Sequence, residues 1–528
     1  MVRAIQGTGL AWALQPPPAL PVAYPRGVLA RRLDDLLVAV ALAACAALCL
    51  AFRYLPMVDL PQHYAMVSIL LHRDDPSWGF AQRYTTDFLH RPYATVYWLG
   101  EALAWVMPLG AAMRIVVATC TVAPLAGAYA LLVVTRRPRL WLLPAIPFAF
   151  GALWHWGFLN FLLGTGMFLA GLALVVVAVE RTARWPSVAL GVLGVALFCT
   201  HFHGLVMLLM FAPVVAWAWR GEEEGRAPFV RALAPLAPSA AAAAAFVLLT
   251  WAQAEGSWAR MNPGLAERFE RFPEFLGAGL PDPWPGAGLF ALAVVVAGGV
   301  ALGASTPRPR RTVVALAIVL AAQVAMYLFL PLNTNTATFV SARHALLIVL
   351  LALPLLPDLE GWRAPALRGA AALVAAVGLF GVGQHLACFD REAHDFEGVL
   401  DAMKPARRVV PLVFARGGAC VSPRTFPYLH FAAYYQAAKG GELARSFAVV
   451  WNVPVRYRAD YARYPIREEV EWSPALLTPE DARHFDYALV RGGPPRLPLQ
   501  LGMQLVTRSG AWALYENPDA VPPELPSP

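Results

Sequence analysis

The sequence predicts a polytopic α-helical membrane protein of about eleven spans that carries a soluble α/β domain at its C-terminal end. Three observations predict it. Of 528 residues, 58% are hydrophobic and only 14% are charged, and the mean hydropathy is +0.53, outside the balance of soluble domains. Apolar runs of about 18 to 22 residues recur between short polar breaks, each matching the length that crosses the hydrocarbon layer as a helix. From Phe389 onward the composition turns to that of an ordinary soluble domain. The formal charge of +8 would suit nucleic acid, but the arginines gather in short loops between apolar runs, which is the positive-inside pattern. No nucleic-acid footprint remains, and the expected solvent is the lipid bilayer.

In chain order, residues 1–33 contain Gln15-Pro-Pro-Pro18 with Arg26, Arg31 and Arg32, and read as a disordered cytoplasmic lead-in. The apolar run that follows is too long for a cleaved signal core and reads as an anchor. Residues 34–386 form the membrane domain, whose first outer loop, 56–110, holds an amphipathic stretch from Gln62 to His72, the polar segment Arg73 to Trp78, and Tyr93 to Leu109. Basic clusters at Arg136 to Arg139, Arg181 to Arg184, Arg220 to Arg231, Arg308 to Arg311 and Arg363 to Arg368 are each separated by a helical hairpin, so all five can be cytoplasmic together. That arrangement leaves one crossing, Met113 to Thr135, between the first outer loop and Arg136, and lays Tyr93 to Leu109 at the outer interface with Trp98 and Trp105 at headgroup level. The other spans run near Leu36–Leu55, Leu140–Trp156, Phe158–Glu180, Ser187–Thr200, Gly204–Trp219, Leu233–Trp251, Leu289–Leu302, Val313–Pro331, His344–Leu356 and Leu367–Leu386. An odd total places residues 387–528 outside, with expected strands at Arg408–Phe414, Phe447–Val453 and Phe485–Val490, a hairpin at Gln504–Tyr515 turning at Ser509-Gly510, and a helix at His394–Met403. Cys45, Cys49, Cys120 and Cys199 lie in apolar runs as small hydrophobes, whereas Cys388 and Cys420 can pair in an oxidising compartment.

The chain carries no phosphate loop with Gly-Lys-Ser/Thr, no Cys-x-x-Cys, no His-Glu-x-x-His and no Gly-x-Ser-x-Gly. Its polar residues instead gather on the expected outer face. Foremost is Arg53-Tyr-Leu-Pro-Met-Val-Asp-Leu-Pro-Gln-His63, which puts Asp59 where the first span emerges and His63 four residues on, able to share one face. Two readings stand side by side: Asp59 caps the helix from Pro61 to His72, or it is an acid available for chemistry. Asp74 and Asp75 supply further acids or form a solvated turn before Pro76. His201 and His203 flank a tight hairpin tip; a divalent metal is conceivable there, but no third ligand is identifiable. Arg343 and His344 open a later span, where an arginine can also snorkel. His155 between two tryptophans suits an aromatic belt, Gly164 and Gly166 suit close helix packing, and Asn160 is costly in that run unless bonded.

An acid in the first outer loop just after the first span, interfacial helices and many spans together resemble the GT-C superfamily of membrane glycosyltransferases, among them the protein O-mannosyltransferases and the lipid A aminoarabinose transferase. Pro92-Tyr-Ala-Thr-Val-Tyr-Trp98 leading to Ala111-Ala-Met-Arg114 is similar to that family's second interfacial helix and next span. Ser341-Ala-Arg-His344 followed by Leu353-Pro-Leu-Leu-Pro357 is similar to its basic residue before a proline-containing span. The resemblance covers about Leu36 to Leu386. It implies transfer of a sugar from a polyprenyl-phosphate donor to a lipid or glycan acceptor at the outer face of the bacterial cytoplasmic membrane, with inversion, without an obligatory cofactor. By position, Asp59 would be the base with His63 in support, and Arg343 would bind the departing phosphate; His344, Asp74, Asp75, His201 and His203 are further substrate contacts. Many members have two acids at the first site, whereas Asp59 here stands between Val58 and Leu60. A transporter for a lipid-linked substrate or an inactive scaffold of the same fold are the competing readings; the first requires mid-span polar residues and inverted repeats.

Overall fold

From Leu36 to Ala51 the chain has neither charge nor proline, so the first helix, α1 (Tyr24–Ala51), runs unbroken to the Pro56 and Pro61 bends. This computed structural model describes residues 24–87, 92–181, 183–220, 225–251, 259–277, 284–302, 310–334, 337–358, 364–450, 453–494 and 496–521. Residues 1–23 of the expected lead-in, residues 252–258 and 278–283 of the loop from 252 to 285, Arg308 and Arg363 lie outside them. Among the described residues seven helices are long and apolar enough to cross a membrane, and three shorter apolar helices accompany them.

After α1 come α2 (Leu60–Leu71), the short strand β1 (Tyr84–Thr86), α3 (Thr95–Ala104) and α4 (Leu109–Val134). At ten residues α3 spans about 15 Å, short of a crossing; Trp98 and Trp105 are exposed, whereas Tyr97 turns inward and is buried. The expected span Leu140–Trp156 is corrected. Pro144 and Pro147 each remove a helical donor, and the segment Arg139–Phe150 winds as a 3₁₀-helix of twelve residues before the single turn α5 (Ala152–Trp156). A 3₁₀ rise of about 2.0 Å per residue stretches it to roughly 24 Å, and nearly every side chain in it is buried. Irregular backbone at membrane depth is tolerable only inside protein, and this segment packs among α1, α4 and the later helix Ala364–Ala393.

The bundle continues through α6 (Leu159–Glu180), α7 (Trp185–Thr200), α8 (Phe202–Trp219), α9 (Ala227–Leu233) and α10 (Ala237–Trp251). Helix α6 is the hub, packed on α4, α7 and α8. A Cβ on Gly166 would collide with the Ala123 backbone, so the glycine lets α4 and α6 approach, as small residues do in membranes. Beyond β2 (Ala259–Met261) lie α11 (Leu265–Gly277), α12 (Trp284–Leu302), α13 (Arg310–Phe329), β3 (Asn333–Thr334), α14 (Arg343–Ala352) and α15 (Ala364–Ala393). Leu36, Val40, Leu248, Phe290, Ile318, Leu373 and Phe380 point outward, exposed; only lipid solvates such a surface without penalty. At the opposite ends of these helices from α2, Arg368 meets Asp34 at 2.6 Å and Arg137 meets Asp358 at 2.7 Å.

The C-terminal domain begins with α16 (Asp395–Ala402), as expected, and β4 (Arg408–Val413). After α17 (Ala433–Lys439), β5 (Glu442–Leu443), β6 (Val455–Tyr457) and α18 (Glu469–Trp472) come β7 (Tyr487–Arg491), β8 (Gln504–Ser509) and β9 (Trp512–Glu516). Its sheet has the order β5-β4-β7-β9-β8, parallel through β4 and antiparallel from β7 to β8. The expected strand at Phe447–Val453 is instead a 3₁₀ turn, Phe447–Val449, capped by Ser446. Cys388 and Cys420 form a disulfide that ties the end of α15 to the domain. The domain sits on α2: Gln62 Nε2 donates to Arg445 O at 3.2 Å, Phe447 N donates to Gln62 Oε1 at 3.1 Å, Ser68 Oγ donates to Ala437 O at 2.9 Å, and β1 pairs antiparallel with β6.

Candidate functional site

Between α2, the start of α6 and the Phe447 turn lies a cavity of about 530 Å³. Asp59, His63, Asn160, His201 and Arg343 all line it. Asp59 arrives there because the loop after α1 is clamped: Val58 N donates to His155 O at 2.8 Å and Asp59 N to Trp156 O at 3.2 Å. Gly157 permits that approach. Its φ of +84° is left-handed, and a Cβ there would come 3.1 Å from the Asp59 Cβ.

The Asp59 carboxylate makes no cap bond to α2, so of the two readings the capping one is not what the structure holds. One oxygen, Oδ1, faces His430 Nδ1 at 3.0 Å, and His430 Nε2 lies 3.2 Å from Glu471 Oε1. Behind Glu471 stand Arg445 at 3.5 Å and, beside it, Glu468, 3.6 Å from the same arginine. Although burial opposes charging His430, the two carboxylates overcome it and push the imidazole up to about 10. Burial would likewise raise Glu471, but His430 and then Arg445 hold it below the usual glutamate range.

His63 stands beside Asp59 but bonds elsewhere, which corrects its expected support of the acid. Gly157 O only accepts, so His63 Nε2 donates to it at 3.0 Å, and Nδ1 therefore accepts from Tyr97 OH at 3.0 Å. Burial pushes this imidazole down, keeping it neutral. His201, also buried, accepts at Nδ1 from Gly204 N at 3.4 Å; burial and then the Arg343 charge push it well below the usual histidine value. Asn160 is bonded, accepting from Val96 N at 3.4 Å and donating to Tyr93 O at 3.3 Å.

Arg343 opens α14 on the cavity wall. Its guanidinium lies 5.6 Å and 5.8 Å from the ring centres of Phe158 and Phe161, and Nη2 donates to Thr338 O at 3.2 Å. Its Nε is buried without a hydrogen-bond partner, and no carboxylate of the described residues lies within ion-pair distance of it. Guanidinium donors left over on a cavity wall are chemistry that suits an anion.

Sought among families of known sequence, the chain matches no family model and no curated protein. Among solved structures it is similar to ArnT from Cupriavidus metallidurans. The apo crystal structure is 14% identical with a TM-score of 0.48, over 94% of this chain and 100% of that one. The undecaprenyl phosphate-bound structure is 13% identical, again at 0.48, over 93% and 100%.

The remaining expected residues fall outside the cavity. Asp74 and Asp75 are exposed at a surface turn, where Asp75 accepts from Ser77 N at 2.9 Å and Asp74 lies 3.6 Å from Arg73; they form the solvated turn rather than a second acid. His344 donates from Nδ1 to Gln323 Oε1 at 2.7 Å and meets His203 edge-on at 5.2 Å, next to Arg343 in sequence but not on the cavity lining. The His201–His203 pair gains no further ligand: among the described residues no three His, Cys, Asp or Glu side chains converge to hold a metal. His430, Glu471 and Arg445 were missed. Their one sequence signal is His430 itself, an imidazole inside the aromatic run Phe426-Pro-Tyr-Leu-His-Phe-Ala-Ala-Tyr-Tyr435, where it needs a partner.

Proposed function

We propose that this chain is a glycosyltransferase of the GT-C kind, moving a sugar from a polyprenyl-phosphate carrier to a hydroxyl acceptor. The observation that carries the reading is that Asp59 and Arg343, distant in sequence, line the same cavity. A carboxyl group and a guanidinium without an acid partner are the two groups this reaction asks for. As the acceptor oxygen attacks the anomeric carbon, its proton passes to the free oxygen of Asp59 and the bond from carbon to phosphate oxygen breaks. Charge then develops on the departing phosphate, where the Arg343 fork is already oriented. Attack opposite to the leaving group inverts the anomeric centre.

Phe158, Phe161 and Phe447 give the sugar apolar faces, and Tyr93 and Asn160 give it polar edges. His63 and Tyr97 form a neutral wall that orients the Asp59 loop rather than moving protons. The roles assigned to Asp59 and Arg343, the outer face of the cytoplasmic membrane and an outside C-terminal domain belong to this proposal, supported by the arginine census and the site's place at the emergence of α1. The test is transfer of label from a panel of polyprenyl-phosphate sugars in membranes containing the protein. Wild type is expected to transfer from one donor. Asp59→Asn should lower transfer by about 10²–10⁴-fold and Arg343→Ala by about 10²–10³-fold at equal protein level; transfer surviving in both would remove this site from the chemistry.

A further inference from the structure

His430 is carried by the C-terminal domain, 371 residues from Asp59 in sequence, yet its ring is wedged between two acids. Asp59 Oδ1 at 3.0 Å and Glu471 Oε1 at 3.2 Å face its two nitrogens. A carboxylate only accepts, so each nitrogen must carry hydrogen, and the ring is an imidazolium. All three side chains are at most 14% exposed, and a buried ionic bridge of this kind persists only where both ends are matched. The other groups facing it are the Phe447 ring at 5.7 Å and His63, which is neutral, with Arg445 behind Glu471. Among the described residues the second Asp59 oxygen, Oδ2, has no hydrogen-bond partner, although Asp59 lines the cavity.

We infer that His430 is a positioning residue of the transfer site: as an imidazolium spanning Asp59 and Glu471, it fixes one Asp59 oxygen and leaves the other for the acceptor proton. This rests on the transferase reading. The C-terminal domain then supplies part of the site rather than a lid over it, because among the described residues Asp59 has no other side-chain partner to set its rotamer. Glu471 serves as counter-ion, keeping the cation in place and giving the bridge no net positive charge toward the sugar. Arg445, whose backbone carbonyl accepts from Gln62 on α2, couples the same bridge to domain docking.

The test compares wild type, His430→Gln, Glu471→Gln and Asp59→Asn in two readouts. The first is kcat and KM for the lipid donor across pH. His430→Gln is expected to lower kcat by about 10- to 100-fold with KM for the donor little changed, and to abolish an alkaline limb that wild type shows as His430 loses its proton. Glu471→Gln, which removes one of two counter-charges, is expected to move that limb to lower pH. The second readout is the His430 imidazole signal by NMR, assigned through its loss in His430→Gln; it should report a protonated ring at pH 8 in wild type and a less basic ring in Asp59→Asn. If His430→Gln keeps the wild-type kcat and pH profile while Asp59→Asn is inactive, or if the ring is neutral at pH 8, the inference is overturned and the transferase stands. Undiminished transfer by Asp59→Asn would instead overturn the transferase reading, whatever the imidazole shows.

Discussion

Gly157 is the residue on which the site's geometry turns, since it holds a left-handed φ of +84° while pressing against Asp59 and Leu60. Gly157→Ala combines an αL penalty with a steric one, and should lower stability by about 1–3 kcal/mol and, by pushing the Asp59 loop off α5, lower activity per folded molecule as well. Thermal unfolding in detergent alongside activity checks both. Tyr97→Phe tests the neutral wall: it leaves His63 Nδ1 buried without its donor, a cost of about 1–3 kcal/mol, and the expected result is a lower melting temperature with little change in kcat. A collapse of kcat equal to that of Asp59→Asn would instead make His63 part of the proton path. At this scale the sequence was informative where the chemistry is local. Asp59 stood out beside the end of an apolar run, and Arg343 at the start of another, because charge at a membrane boundary needs a reason. His430 and Glu471 did not, because a long-range ion pair has no period and no spacing.

Elements follow the same division. The apolar runs predicted α4, α6 and α8 to within a few residues, since a helix satisfies its own backbone in lipid, whereas α1 begins at Tyr24, twelve residues before the expected Leu36 and inside the lead-in expected to be disordered. The Leu140–Trp156 run looked alike in hydropathy, yet Pro144 and Pro147 turned it into a 3₁₀-helix; two prolines three apart outweigh apolar content in deciding helix type. Phe447–Val453 had the residues of a strand, yet Phe447–Val449 became the turn that meets Gln62. Docking of the C-terminal domain through α2 makes Gln62→Ala informative. It removes both the donor to Arg445 O and the acceptor for Phe447 N, and is expected to speed limited proteolysis of the 387–528 region several-fold while leaving the helical content unchanged by circular dichroism.

On the scale of the whole molecule, the site is a seam between a helical bundle and a small α/β domain, stitched by the Cys388–Cys420 disulfide, the β1–β6 pairing and the Asp59–His430–Glu471 bridge. That seam makes stability depend on pH with a definite sign. His430 is raised from 6.5 to about 10, so its contribution is full below about pH 6.5 and is lost as pH climbs to about 10. Glu471 is lowered, so its contribution is present above the ordinary glutamate value and fails only as pH falls below it. The melting-temperature gap between wild type and His430→Gln should therefore be widest near pH 6 and close toward pH 10; a gap that widened with pH would contradict an imidazolium in the seam.

The central claim is that one cavity holds both the base and the phosphate site of a sugar transfer. The most direct measurement is a single turnover with a polyprenyl-phosphate sugar that wild type accepts, following carrier release and labelled product together in wild type, Asp59→Asn and Arg343→Ala. Wild type should release carrier and form product in equal amounts, and each variant should lose both in step. Carrier release and product formation at the wild-type rate in either variant would contradict the assignment of that residue, and at the wild-type rate in both would contradict the site.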